Sequence, residues 1–590
     1  MPNSILKKFI LLIICFTYTL DLFAQLTNAT PPAPVVTGKV CEKKPVKTWE
    51  ARYGGGSLVM ILSLNDGGYI MGGNGAEYGG VDKTEPTRGL EDFWVLRVDA
   101  NGNKLWDKTY GGNNSEFFCT LHQTNDGGFM LFGHSDTDVS GEKTASNRGS
   151  KDFWVIKIDA NGNKQWDRGY GSENSELLAS VLPTPDGGYL MGGSSASYAG
   201  NEKSQTSYGY FDYWLLKIDA NGNKQWDKQL GGIGDDQMLT MTATGDGSYV
   251  LGGSSNSAKS YDKSEGGRGS EDYWIVKVDG NGNKIWDKTL GGNMFDYISR
   301  IVPSGDGGYV LGGWSNSPIS GDKTQANYGY ANFWVVKIDA NGNKLWDKRY
   351  GGNNYDYLND MIATEDGGFI MAGSSKSDIS GDKTEAPYNY TTYETTFDGW
   401  LLKIDANGNK SWDKRFGGTS RDDFKKIIRT GNGEYLIAGA SNSPISGDIT
   451  TPLRGDYWLF KINTCQPTSN FCAGQSISLE ASGCAGAVIW STGVVANSIS
   501  VSTPGTYYAT CFADNEMSAQ SNPIVIAEST VSLSGTATGG TNNASGTITS
   551  TQTIPTGINA TYQAGKSISL QGSFQAQTGS VFKAEIKGCE

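Results

Sequence analysis

An all-β chain built around a seven-bladed β-propeller of four-stranded antiparallel blades is what this sequence predicts, on three observations. A stretch such as DFWVIKIDANGNKQWD recurs along the chain. Its first tryptophan falls at Trp94, Trp154, Trp214, Trp274, Trp334, Trp400 and Trp458, and its second at Trp49, Trp106, Trp166, Trp226, Trp286, Trp346 and Trp412. The copies are offset, because the array opens on a second-half strand (46–53, VKTWEARY) and closes on a first-half strand (456–462, DYWLFKI). A closed ring uses that offset, since the N-terminal strand can complete the last blade, whereas a linear stack has no need of it. The composition agrees: 81 Gly, 29 Tyr and 16 Trp against 17 Pro favour many short strands and tight turns.

Before the array, Lys7-Lys8, an apolar run over 9–16 and the small Ala24 read as a secretory signal over 1–24, followed by a linker over 25–44. Thr17, Tyr18, Thr19 and Asp21 interrupt the run too early for a membrane anchor, and no later run is long enough to span. The mature chain is therefore expected to be secreted or at the outer cell surface, with no transmembrane segment. The propeller occupies 45–464, a β-sandwich 465–528 and a small C-terminal β module 529–590.

Within the array each repeat carries four strands. In 104–162, KLWDKTY, FFCTLHQT, FMLFG and DFWVIKID are separated by Gly111-Gly112, by Asp126-Gly127-Gly128 and by a loop of about 20 residues. Asn161-Gly162 closes the unit, and Asn-Gly recurs at 101, 221, 281, 341 and 407 because both turn positions must tolerate positive φ. The first tryptophans are 60 residues apart from Trp94 to Trp334, then 66 and 58, the enlargement falling in 388–397 (YNYTTYETTF).

The double glycine ending the third strand (Gly72-Gly73, Gly192-Gly193, Gly252-Gly253, Gly312-Gly313), a variable loop, an aromatic strand, a turn and a Trp strand resemble the kelch repeat in order, although Gly133, Gly373 and Gly439 lack the preceding glycine. That resemblance implies that the long loops and the inter-blade turns share one face, where binding is expected. The layout as a whole resembles secreted tryptophan-rich repeat proteins of Bacteroidetes-type bacteria. Residues 471–511 (FCAGQSISLEASGCAGAVIWSTG through GTYYATC) are similar to their Ig-like modules, and 563–589 (QAGKSISLQGSFQAQTGSVFKAEIKGC) resemble their three-coathanger-stack module, found in type IX secretion cargo. The sorting domain usual in such cargo does not follow, as the sequence given ends at Glu590.

Seven cysteines follow the signal. Cys465, Cys472, Cys484 and Cys511 cluster beyond the repeats and read as disulfides, which leaves Cys41, Cys119 and Cys589 as candidates for an unpaired thiol. A net charge of −13 argues against nucleic acid as a partner.

Chemistry is sought first in columns that repeat. The tryptophans and the acid after the second one (Asp107, Asp167, Asp227, Asp287, Asp347, Asp413) recur too regularly to be catalytic and read as scaffold, the acid as a strand-edge or turn partner. DANGN has no EF-hand spacing and reads as a hairpin turn. Glu116, Glu176, Asp236, Asp296, Asp356 and Asp422, four residues beyond the second position of each inter-blade turn, are expected near the innermost strand. They form either an acidic channel rim able to hold a cation such as calcium or carboxylates bonded to turn amides; no other cofactor is expected.

The long loops repeat an acid-Lys-Thr/Ser element at Asp82, Glu142, Glu202, Asp262, Asp322 and Asp382, with Asp448 followed by Ile449. The blades differ at Arg88, Arg148, Tyr208, Arg268, Tyr328 and the displaced Arg454, and at Tyr210, Tyr330, Tyr388, Tyr390 and Tyr393. These Arg and Tyr side chains suit a carbohydrate or protein ligand, or else pack loops onto neighbouring blades. Only His122 and His134 are histidines, and no nucleophile-triad, HExxH or P-loop motif appears, so a non-enzymatic binding or adhesion protein is expected. A glycan-active hydrolase and a purely structural surface protein stand as alternatives.

Overall fold

The computed structural model describes residues 35–38, 45–76, 80–364, 366–388, 396–431, 433–454 and 457–464, together with strands and turns between 477 and 586. They fall into two units, Lys44–Asn463 and a second made of Met1–Lys43 with Thr464–Glu590. The signal segment lies outside the described residues. No helix among the described residues is long and apolar enough to cross a membrane.

The first unit is seven four-stranded antiparallel sheets. In blade 2, strand a is Glu116–Gln123, b Phe129–Ser135, c Asp152–Ile158 and d Lys164–Tyr170. The seven a strands (Gly56–Ser63, Glu116–Gln123, Glu176–Pro183, Asp236–Ala243, Asp296–Pro303, Asp356–Ala363, Asp422–Gly431) each contact the next, and the last contacts the first. They therefore surround a central channel, with d outermost. The sequence repeat is out of frame with the blade by one strand: Lys104–Tyr110 is strand d of blade 1 and not the first strand of blade 2.

The ring closes as the offset predicts. Val46–Tyr53 is strand d of blade 7 and pairs antiparallel with Tyr457–Asn463, with Arg52 opposite Trp458 and Glu50 opposite Phe460. Arg52 is buried and donates to the Ser441 carbonyl at 2.6 Å and the Ser443 carbonyl at 2.7 Å, which ties the first strand to the long loop of the last blade.

Packing explains the two tryptophan columns. The seven first tryptophans are fully buried at 0% exposure between blades. Trp154 of blade 2, for instance, shares a core with Phe93 and Val95 of blade 1. The second tryptophans are mostly half-buried, and Trp106 floors the Asn-Gly turn of the next blade, where Gly162 has φ +84° and a Cβ would come within 3.1 Å of the indole. The acid after this tryptophan is more than a turn partner. Asp107 accepts from the Trp94 indole N–H at 3.1 Å and from the Thr84 amide at 2.8 Å, so it pins the long loop to the blade. In blade 7 Glu50 takes this place, accepting from Trp458 Nε1 at 2.8 Å and Thr450 N at 2.9 Å.

Of the paired glycines only the second is obligatory. A Cβ on Gly133 would stand 2.1 Å from the Phe117 carbonyl oxygen, and the same contact recurs at Gly73, Gly193, Gly253, Gly313, Gly373 and Gly439. The first position tolerates Phe132, Ala372 and Ala438.

In the second unit Val35–Gly38, placed in the linker by the sequence, is instead a strand paired antiparallel with Ile477–Ser482, which pairs with Ser498–Val501. Ala487–Trp490 pairs with Ala509–Ala513, and Cys511 is disulfide-bonded. Farther on the pairing becomes parallel: Thr530–Leu533, Thr547–Ser550 and Ser567–Leu570 form one sheet, and Gly540–Ala544, Asn559–Ala564 and Val581–Ile586 another.

Candidate functional site

The long loops and inter-blade turns meet on one face, as the strand order implies. The Ser115 amide donates to Asp136 Oδ1 at 2.7 Å, and the Glu142 amide to the Gly111 carbonyl at 2.9 Å. What the loops present there differs from the sequence expectation.

The residues six before the blade tryptophan hold seams together. Arg88 reaches Glu142 of the next blade at 3.1 Å, Arg148 reaches Glu202 at 2.6 Å, Arg268 reaches Asp322 at 2.6 Å, and Arg454 closes the circle on Asp82 at 3.5 Å. Where Tyr replaces Arg, stacking replaces the ion pair. Tyr208 lies flat on Tyr261 at 4.1 Å, Tyr328 carries the Arg349 guanidinium at 3.3 Å, and Tyr388 carries that of Arg415 at 3.4 Å. Tyr261 adopts φ 46° at a position that is glycine in four other blades. The acid of the acid-Lys-Thr element is thus the partner of this clamp in four blades. Tyr390 and Tyr393 lie outside the described residues. Tyr210 is 72% exposed over a shallow depression shared with Tyr198, and Tyr330 is 65% exposed.

The acid ring is not a channel rim. Glu116, Glu176, Asp236, Asp296, Asp356 and Asp422 are all fully buried at the blade seams. Each accepts from an inter-blade amide, Gly112, Ser172, Gly232, Gly292, Gly352 or Gly418, at 2.7–2.9 Å. A serine hydroxyl adds a second bond, as from Ser135 to Glu116 at 2.9 Å and from Ser257 to Asp236 at 2.8 Å. Among the described residues no cluster of three or more His, Cys, Asp or Glu is arranged to hold a metal ion. Across the seam from Glu116, Glu176, Asp236, Asp296 and Asp422, a second buried acid (Asp92, Asp152, Asp212, Asp272 or Asp398) stands at the start of strand c of the preceding blade. Burial, with Glu176, Asp236 or Asp422 facing them, pushes Asp152, Asp212 and Asp398 up to about 7. At the blade 5–6 seam the partner is Asn332, whose Nδ2 donates to Asp356 Oδ2 at 2.9 Å. Burial likewise holds Lys203, Lys263, Lys323 and Lys383 down at about 8.

The histidines sit in packing. His134 stacks on Phe117 at 5.2 Å, and burial, with Lys151 nearby, pushes it down to about 4. His122 approaches the Val181 carbonyl at 3.2 Å, and burial lowers it.

Symmetry breaks at blades 5 and 6. At the second residue of strand a and its cross-strand partner on b, the blades carry Ser57–Asn74, Phe117–His134, Leu177–Ser194, Gln237–Ser254, Tyr297–Trp314, Tyr357–Ser374 and Asp423–Ala440. Tyr297 and Trp314 stack at 4.7 Å and 19°, Trp314 meets Tyr357 edge-on at 5.1 Å, and Tyr357 leads to Tyr355 at 5.9 Å and on to Tyr330 at 5.0 Å. Phe295 extends the arc from Tyr297 at 6.4 Å, and Phe397 branches from Tyr357 at 5.7 Å. Phe295 and Tyr355 are exposed, while Tyr297, Trp314, Tyr357 and Phe397 are half-buried. Polar groups border the rings: Glu271 lies beside the Tyr297 hydroxyl, and Lys376 and Arg421 lie over Phe397 at 4.7 and 5.2 Å. One signal for this arc stood in the sequence. Trp314 is the propeller tryptophan that belongs to neither repeated column.

Comparison with known proteins adds the following. No family model matches the chain. A 180-residue stretch is 24% identical to the regulatory protein FlaEY of Caulobacter vibrioides, a match covering 30% of this chain and 19% of that protein. Among solved structures, BBS1N in complex with ARL6DN is similar with TM-score 0.38 and 9% identity over 72% of this chain and 97% of that one. The Pan2 WD40 domain of Neurospora crassa gives TM-score 0.37 and 9% identity over 70% and 90%. A protein of unknown function from Dyadobacter fermentans gives 0.34 and 9% over 72% and 99%.

Proposed function

We propose that this is a secreted or surface-attached binding protein whose long-loop face takes carbohydrate without transforming it, the C-terminal Ig-like and coathanger-like segments serving as spacer and attachment units. The observation that carries the reading is the arc from Phe295 to Tyr330, a row of rings that the other blades lack. A pyranose ring has an apolar C–H face and a hydroxylated rim. It gains by lying flat on an aromatic ring whose surroundings offer hydrogen bonds, as Glu271, Lys376 and Arg421 do here. A flat, partly wet row of this kind suits an extended chain more than an engulfed small molecule.

A glycan array probed with the whole chain, followed by a reducing-sugar assay on every positive glycan, tests the proposal. Trp314→Ser is the matching variant, because serine stands at the equivalent position of three other blades (Ser194, Ser254, Ser374). Binding that Trp314→Ser abolishes, without release of reducing ends, is the expected result. Turnover would make the chain a hydrolase. Retention of an array-positive glycan by Trp314→Ser with unchanged affinity would remove the arc from the site.

A further inference from the structure

Beside the arc, the middle of the channel carries a surplus of positive charge. The chain carries a net charge of −13, yet beyond their first two residues the seven a strands hold four basic side chains, Arg300, Lys425, Lys426 and Arg429, and one acid, Asp360. The expectation of an acidic channel is therefore reversed in sign: the acids at the strand starts are buried in the seams, and the section beyond them is basic.

Three of these groups form one cluster across three successive blades. Asp360 of blade 6 pairs with Arg300 of blade 5 at 3.2 Å and with Lys426 of blade 7 at 3.3 Å, and its Oδ2 also accepts from the Ile427 amide at 3.1 Å. Two cations thus share one carboxylate, and Lys425 beside them is exposed. Lys426 and the Cys119 thiol of blade 2 act on one another electrostatically, with blade 1 between them. The Arg300 side chain stays 36% exposed and that of Lys426 16%. Cations held half-open with a positive surplus, in an otherwise acidic protein, are complementary to an anionic ligand.

The cluster and the arc lie on the same strands. Tyr297 and Arg300 belong to strand a of blade 5, and Tyr357 and Asp360 to strand a of blade 6. Three residues of strand separate ring from charge in each, roughly 10 Å at 3.3 Å per residue. Beside the arc, Lys376 and Arg421 add two further cations, Arg421 being offset by Asp423 at 2.5 Å.

We infer that arc and channel cluster are one continuous site, and that its ligand is an acidic glycan: pyranose rings stack on Tyr297, Trp314 and Tyr357, while uronate carboxylates descend to Arg300, Lys425 and Lys426. This rests on the carbohydrate reading above. The guanidinium of Arg300 donates its N–H groups side by side to a carboxylate, and Asp360 holds both cations in place before the ligand arrives.

The test is calorimetric titration of the full chain with an oligogalacturonate and with the same oligomer methyl-esterified, which keeps the rings and removes the charge. Variants follow the repeat: Lys426→Thr and Arg300→Thr, since blades 2 and 4 carry Thr120 and Thr240 at that position, and Trp314→Ser. The acid form is expected to bind at least about tenfold tighter than the ester, a difference of about 1.4 kcal/mol. Each threonine variant is expected to bring the acid down toward the ester while leaving the ester unchanged, and Trp314→Ser to weaken both. Equal affinity for acid and ester, with both still lost in Trp314→Ser, would overturn the acidic ligand and leave the carbohydrate reading standing. Sensitivity to Lys426→Thr without sensitivity to Trp314→Ser would divide the site in two and overturn its continuity. Binding of neither oligomer by a chain that binds neutral glycans on the array would also overturn the inference.

Discussion

Replacing Asp212 by Asn is expected to stabilise the propeller at pH 8 and to do nothing at pH 4. Asp212 is fully buried at the blade 3–4 seam, accepts from the Tyr208 amide at 2.5 Å and the Gln229 side chain at 2.7 Å, and leaves Oδ1 without a partner. Burial, and then the facing Asp236, raise it from 3.8 to about 7. Below pH 3.8 folded and unfolded chains are both protonated there, so the group contributes nothing. Between 3.8 and 7 the unfolded chain gives up its proton first and stability falls; above 7 the whole penalty is present. The gap of about three pH units, at about 1.4 kcal/mol each, amounts to about 4 kcal/mol. Asn332 shows that the amide fits: its Oδ1 accepts from the Tyr328 amide at 2.8 Å, as Asp212 does from Tyr208, while its Nδ2 donates to Asp356. Thermal unfolding followed by fluorescence at pH 4 and pH 8 is the assay. A midpoint several degrees higher than wild type at pH 8, and equal to it at pH 4, is expected. An equal or lower midpoint at pH 8, or the same gain at both pH values, would refute the reasoning.

Three further outcomes follow from the same network. Deleting residues 46–53 exposes the full edge of Tyr457–Asn463 and removes the Arg52 bonds, so cooperative unfolding is expected to vanish; a truncated chain that melts like the intact one would disprove closure. Asp287→Ala strands the Trp274 indole and the Ser264 amide, which Asp287 accepts at 3.1 and 2.8 Å. A loss of about 2–4 kcal/mol and new protease cleavage in the blade 4 long loop are expected by denaturant titration and limited proteolysis. Burial pushes the Cys119 thiol up to about 12. It is therefore expected to stay unreactive toward a disulfide reagent at pH 8 until the chain unfolds, and prompt labelling of the native protein would count against that placement.

The architecture was legible because the repeat states the same rules many times. Trp-strand alternation, Asn-Gly turns and the offset at Val46 each carry a local physical meaning, and together they specify seven blades and the closing strand. What stayed illegible depends on direction in space. Glu116 and its counterparts stand at the start of the innermost strand, as expected, but serine hydroxyls and turn amides draw them into the seam and away from the channel. Arg148 looks like a ligand group until Glu202, 54 residues away, is seen to meet it. The arc escaped for another reason. Trp314 and Tyr357 lie in neighbouring blades and meet only through the ring's curvature, while Trp314 is one tryptophan out of place beside fourteen structural ones in the propeller.

The structure of a complex between the full chain and an array-positive glycan tests most directly the claim that function sits where the blades differ. Sugar rings against Trp314 and Tyr357, with any acid group turned toward Arg300 and Lys426, are the predicted arrangement. A ligand seated on the hairpin face, or along the outer strands at Trp106 and its counterparts, would contradict it.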